Sequence, residues 1–436
     1  MQLRFPSFVI ILISIAIISC KSGTFNLFKA ASPHEQYRRK LESAGLDKTA
    51  MGSAWISAAS ASMQQALNIT VPYRETGYFD ADKIPAAAYQ FSATKGQKIT
   101  ISLAKKPNAS ALYLDLWHLA DVNNPKRIAS ADTLNNPIQY EIGDTGNYLI
   151  RLQPELLQSL EYTLTITSGP SLAFPTQSKS KNIGSYWGDG RDNNARKHEG
   201  VDIFGSFRSP VLAIADGTIT RVNENNLGGK VVWLRPNGKD YTLYYAHLDE
   251  QVANEGQEVK LGDTVGLMGN TGNARTTPTH LHFGIYTFGG AVNPLPFIDP
   301  ITKTPSTISA SLSNLNKTLR TTSKAILYQS SQLKSMLTTL TPGTIINVNA
   351  ATGTVYKAEL PDGTTGFIAS KELVQITKPL QKLKVKAIQQ KVFDQPDSLA
   401  AMRTSLKVDQ TVNLLGNFKN YQLISDDNSQ IGWIVK

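Results

Sequence analysis

A chain of 436 residues is longer than one hydrophobic core usually serves, so three or four domains are predicted. A hydrophobic share of 41% with 18% charged residues excludes disorder, and 31 glycines with 21 prolines predict many turns, hence a mainly β, multidomain protein. The net charge of +10 suits anionic partners, but no basic run is interleaved with aromatics, which argues against nucleic acid.

The first 20 residues, MQLRFPSFVIILISIAIISC, place one arginine before an apolar run from Phe8 to Ile18. That run is too short to span a bilayer comfortably and reads as a signal peptide, residues 1–20. Cys20 is the only cysteine, so neither a disulfide within the chain nor a thiolate metal site can form. Its position after Ile17, Ile18 and Ser19 resembles a bacterial lipoprotein signal, which implies a lipid anchor through Cys20 and an exported protein of the bacterial envelope, in the periplasm or at the outer membrane. Lys21 offers no acidic retention signal.

Residues 21–71 are predicted to be helical. Ser32 reads as an N-cap, Pro33 as the first helical residue, Glu35 as the closing member of a capping box and Gly45 as the stop, with a second helix from about Thr49 to Leu67. His34 is expected at the surface. From 72 to 170 the period changes to two, and the segments KITISLA, ALYLDLWHL, NYLIRLQ and YTLTIT predict a β-sandwich whose spacing resembles a jelly roll. His118, at a strand end without a partner at ligand spacing, reads as structural. Residues 171–182 and 301–322 are polar linkers. Beyond them the chain repeats: PGTIINV, VYKAEL and DGTTGFI answer DQTVNLL, NYQLIS and SQIGWIV, with Gly366 and Phe367 matching Gly432 and Trp433. The two copies, 323–376 and 380–436, resemble small bacterial SH3-like barrels, a likeness that implies binding of wall peptides or glycans.

Four of the six histidines fall in the remaining segment, 183–300. His198 and Asp202, in RKHEGVDIF, read as a turn entering a strand. In YTLYYAHLD, Leu243, Tyr245 and His247 are expected on one face of a strand. In THLHF, His280 and His282 share one face, while Leu281 and Phe283 point into the core. Two adjacent imidazoles repel if protonated and leave unsatisfied nitrogens if buried without partners. A metal removes both problems. His198, Asp202 and one histidine of the pair make an N/O ligand set suited to catalytic zinc with a position left for water, while the other histidine and His247 stand beside that water as proton carriers or oxyanion donors.

The segments KHEGVDIFGSFRSPVLAIADGTI, YYAHLD, GQEVKLGDTVGLMGNTGNA and PTHLHFGIY resemble, in order and spacing, the motifs of the M23 zinc metallopeptidases, the lysostaphin-like peptidoglycan endopeptidases. The likeness covers about 183–298. It implies a lysostaphin-like antiparallel β-sheet catalytic domain, zinc on His198, Asp202 and His282, catalytic roles for His247 and His280, and peptidoglycan as substrate. Some relatives of that family have lost ligands and activate cell-wall amidases instead; here all five positions are present. Neither NLGGK nor GNTGNA is a phosphate loop, so nucleotide binding is rejected. Arg191 and Asp192 lie where they could line the cleft or form a solvated loop.

Overall fold

The computed structural model describes residues 31–121, 124–132, 134–177, 182–191 and 193–436. The expected signal peptide, Cys20 and Lys21 lie outside the described residues, as do Asp192 and 178–181 of the first linker.

Ser32 caps the helix Pro33–Ser43, its Oγ accepting from the Glu35 N–H at 3.2 Å, and Pro33 occupies the first helical position, where no N–H is needed. The Glu35 carboxylate pairs with Arg38 and Arg39 instead of reaching back to close a capping box. Thr49 caps the second helix, Ala50–Gln64, accepting from the Gly52 N–H at 3.1 Å. That helix stops short of the expected Leu67, because Leu67 and Asn68 pair in parallel with Tyr89 and Gln90. His34 is buried, contrary to its expected place at the surface. Its ring stacks on Trp55 with centroids 4.6 Å apart and bonds Gln153 at 2.7 Å, docking the helices on the β-sandwich.

The sandwich consists of two sheets. One runs in the order Leu67–Asn68, Ala87–Ala93, Gly146–Pro154, Leu112–His118, Lys126–Ser130. In the other, Tyr73–Phe79, Leu160–Pro170, Gln97–Lys106 and Ile138–Glu141 are neighbours in that order. Alternation sets the core: Leu160, Tyr162, Leu164 and Ile166 are buried while the residues between them are not fully covered. This second sheet does not end at the sandwich. Thr76 and Gly77 pair with Ala351 and Ala350 of the first C-terminal repeat, so the sandwich and that repeat share one continuous sheet, with the histidine-bearing domain between them in sequence.

The stretch expected as a second linker, 301–322, contains the strand Lys317–Thr321, which pairs with both Ile345–Thr352 and Leu373–Gln375. Leu319 is fully buried in the core of that repeat, so the first repeat begins earlier than 323. The two repeats share one strand order. In the first, Met336–Leu340, Ala325–Tyr328, Thr365–Ala369, Val355–Glu359 and Ile345–Thr352 are successive neighbours; in the second they correspond to Met402–Lys407, Gln389–Phe393, Ile431–Val435, Tyr421–Ser425 and Thr411–Phe418. Phe367 pairs with Tyr328 as Trp433 pairs with Phe393.

The domain carrying the four histidines is built on an antiparallel sheet in the order Ile183–Ser185, Val201–Phe204, His280–Thr287, Tyr241–Gln251, Gly229–Pro236, Gly217–Asn225, Glu258–Val259. Its core face buries Val201, Ile203, Leu243, Tyr245, Leu281 and Phe283. Phe297 carries this core against the sandwich, where a Cβ on Gly96 would come within 2.3 Å of its ring.

Candidate metal and catalytic site

The site lies on the face of that sheet opposite the core. Asp202 is directly opposite His282 across the strand pair, and Phe204 is opposite His280, so the two short motifs are brought together by register. Leu281 and Phe283 fill the core, which turns His280 and His282 outward together.

His247 reaches the same face by a different route. Strict alternation would put it on the core side with Leu243 and Tyr245. The ladder instead slips between Val232–Tyr245 and Lys230–Leu248, and His247 takes φ +63°. This bulge sends Leu248 into the core and turns the His247 ring toward the others, with centroids 5.0 Å from His280 and 5.7 Å from His282. Its backbone N–H is retained by the Gly228 carbonyl at 2.7 Å. The expectation that Leu243, Tyr245 and His247 share a face is therefore corrected by one bulge.

Three of the imidazoles are oriented alike. His198 Nδ1 lies 2.9 Å from the Tyr186 carbonyl, His247 Nδ1 2.9 Å from that of Thr271, and His280 Nδ1 2.8 Å from that of Pro278. A carbonyl can only accept, so each Nδ1 carries a proton and Nε2 is the nitrogen left for other partners, which for His198 are Asp202 and His282. His282 is reversed: its Nδ1 faces Asp202 Oδ1 at 3.0 Å and His198 Nε2 at 2.9 Å. Its other edge lies over Gly200, where a Cβ would come within 2.7 Å of Nε2, so only glycine leaves room for the ring. Asp202 Oδ1 also meets His198 Nε2 at 3.1 Å.

Burial alone would raise the Asp202 carboxyl, yet hydrogen bonds with His198 and His282 and their charges hold it well below the ordinary carboxylate range. Burial lowers His282 and pushes His247 down to about 4, with neighbouring histidines adding to the effect. An ionised carboxylate is the form in which Asp202 can serve as a metal ligand. The ligand atoms of His198, Asp202 and His282 all lie within 4.8 Å of one another. Their contacts of 2.9 to 3.1 Å are close to the roughly 3.3 Å edge of a tetrahedron with zinc–ligand bonds of about 2.0–2.1 Å. The donor set fits zinc.

Arg191, which sequence reasoning left between cleft and solvent, takes part directly. Its Nη2 donates to Asp202 Oδ2 at 2.8 Å and to Ser185 Oγ at 2.6 Å, occupying the carboxylate oxygen that the imidazoles leave free. It sits on a separate two-stranded hairpin, Gly190–Arg191 with Arg196–Lys197, and no spacing rule links that hairpin to Asp202. Beyond His282 the sheet face carries Tyr244, Trp233 and Tyr286. Trp233 lies 4.4 Å from the Tyr244 ring and 5.4 Å from that of Tyr286, while Tyr244 meets His282 edge-on at 5.9 Å.

Residues 196–294 match the model of peptidase family M23. An uncharacterized metalloprotease of Haemophilus influenzae is 44% identical over 101 residues, 23% of this chain and 21% of that protein. The murein hydrolase activator NlpD of Salmonella dublin is 36% identical over 138 residues, 31% of this chain and 33% of that one. The peptidoglycan DD-endopeptidase ShyC of Vibrio cholerae is 32% identical over 99 residues, 23% and 22% of the two chains. The match thus spans between about a fifth and a third of these relatives' lengths.

Proposed function

We propose that this chain, whose residues 196–294 form a peptidase family M23 domain, is an exported zinc metalloendopeptidase that hydrolyses peptide bonds in peptidoglycan stem peptides or cross-bridges. His198, Asp202 and His282 hold the metal in this reading. Bound there, zinc supplies Lewis acidity that polarises the scissile carbonyl and lets water react near neutral pH. His247 and His280 handle protons. Each has its Nδ1–H tied to a backbone carbonyl, so each offers Nε2 to the reacting groups; one takes a proton from the attacking water and the other steadies the developing oxyanion or protonates the leaving amine. Tyr244, Trp233 and Tyr286 form an apolar floor along which a peptide could lie. The C-terminal repeats, read as SH3-like modules, tether the enzyme to its polymer and raise the local substrate concentration. Export and lipid attachment at Cys20 belong to the same proposal; palmitate labelling that vanishes in Cys20→Ser tests them.

The observation that carries this reading is the convergence of His198, Asp202 and His282 with two further imidazoles whose Nδ1–H groups are tied to backbone carbonyls. Its test is incubation of the zinc-loaded full chain with purified peptidoglycan, with released fragments read by mass spectrometry. New amine termini that disappear with chelator and in Asp202→Ala support the peptidase; none at stoichiometric zinc overturns it. A second reading, a noncatalytic envelope regulator that activates cell-wall amidases, draws on the likeness to the NlpD activator. It requires that the chain raise amidase activity, and that Asp202→Ala raise it equally.

A further inference from the structure

The sheet face that carries the clustered histidines extends well beyond them, and register fixes its lattice. His282 is opposite Ala246. The next row on that face runs from Gly284 to Tyr244, Trp233 and Arg221, and beyond it Tyr286 is opposite Thr242 and Arg235 opposite Thr218. The residues that alternate with them, Leu234, Leu243 and Ile285, are buried in the core, so these rows point the other way. On the outer strand a bulge between Ile219 and Arg221 keeps Ile219 in the core and still sets Arg221 opposite Trp233.

Arg235 is two residues beyond Trp233 on one strand and Arg221 faces Trp233 from the next, so the arginines are diagonal neighbours about 7–8 Å apart beside the indole. Both side chains are exposed, and neither has a hydrogen bond or ion pair among the described residues. Other arginines of this domain are paired, Arg208 with Asp249 and Glu250 and Arg191 with Asp202. Glu258, which follows Thr218 in the row, accepts from Thr218 Oγ1 at 2.6 Å. With strands about 4.8 Å apart and alternate residues about 6.7 Å apart along a strand, both arginines lie roughly 16 Å from His282, a span of about five extended residues.

We propose that Arg221 and Arg235 form an anion subsite for a carboxylate of the peptide substrate, about three to five residues from the bond that is cut, with the intervening chain lying on Trp233 and Tyr244. The inference rests on the peptidase reading and narrows it: the substrate is an acidic peptide, because an uncharged cross-bridge makes no use of either guanidinium. The planar fork of an arginine matches carboxylate and phosphate alike. Continuity of the arginines with an apolar floor that ends at His282 selects an anion carried on a peptide.

The test gives the zinc-loaded full chain soluble cross-linked peptides released from peptidoglycan, either native or with their carboxylates converted to amides. Amidation should lower kcat/KM about tenfold, mostly through KM because the contact is remote from the reacting atoms, and salt at about 0.5 M should erase most of the difference. The double variant Arg221→Gln, Arg235→Gln should cleave both forms alike, at the native chain's rate on the amidated one, with zinc content unchanged. Calorimetry on the chelator-treated native chain reads the same contact without hydrolysis. Carboxylate-dependent binding there, with no cleavage in zinc, would sink the peptidase reading and leave the subsite standing. Cleavage or binding indifferent to amidation, discrimination that survives in the double variant, discrimination lost in equimolar glycerol phosphate, or no binding of either form would each overturn the subsite.

Discussion

Two of the places where this molecule buries charge treat it in opposite ways. In the sandwich, the fully buried Glu75 carboxylate accepts from the hydroxyls of Tyr73 at 2.7 Å and Tyr162 at 2.7 Å and from that of Tyr89, with Lys357 Nζ 3.6 Å away. Its hydrogen-bonding capacity is spent within the fold. On the sheet face of the M23 domain, Asp202 and the imidazoles are equally well positioned, but His247 and His280, each held through Nδ1 by a backbone carbonyl, keep Nε2 for other partners. A closed polar network holds elements together, whereas one that keeps donor nitrogens in reserve can still take a ligand.

The comparison breaks most sharply at the ligands. Asp202→Ala should abolish stoichiometric zinc, measured by metal analysis of the dialysed protein, together with any peptidoglycan hydrolysis, while far-ultraviolet dichroism stays unchanged. Lys357→Met should do the reverse. Leaving Glu75 buried without its cation costs about 3–5 kcal/mol, read as a lower denaturation midpoint, with zinc content untouched.

His34 adds a pH dependence away from the site. Burial, aided by the Arg151 charge, lowers its pKa from 6.5 to about 4. As pH falls through that window the unfolded chain takes up a proton that the folded one refuses, so stability is full above the unfolded value and declines toward the folded one. The loss amounts to about 3 kcal/mol by pH 4. Because His34 stacks on Trp55, tryptophan fluorescence and proteolysis between Ser43 and Thr49 should report undocking of the helices. His34→Leu should flatten the profile. The smallest effect is expected at Arg191. Arg191→Ala frees Asp202 Oδ2 and should weaken zinc binding by about 10–100-fold in chelator competition, with partial recovery in Arg191→Lys.

The chain's own residues determined a good deal of this. Alternation between apolar and polar residues, broken by glycine and proline turns, specifies a mainly β protein, because a strand exposes successive side chains to opposite faces. His198, Asp202, His280 and His282 were legible as a group because each pair is local, within one turn or one strand. The repeat was legible as well, through Gly366–Phe367 and Gly432–Trp433. Tertiary structure alone decided the rest. A single bulge, invisible to a period-two reading, carries His247 from the core face to the site. Arg191 joins Asp202 from a separate hairpin, His34 is buried by a sandwich strand far along the chain, and Thr76 finds Ala351 across the whole M23 domain. These are long-range pairings, and local sequence period carries no information about which distant strand or side chain completes them.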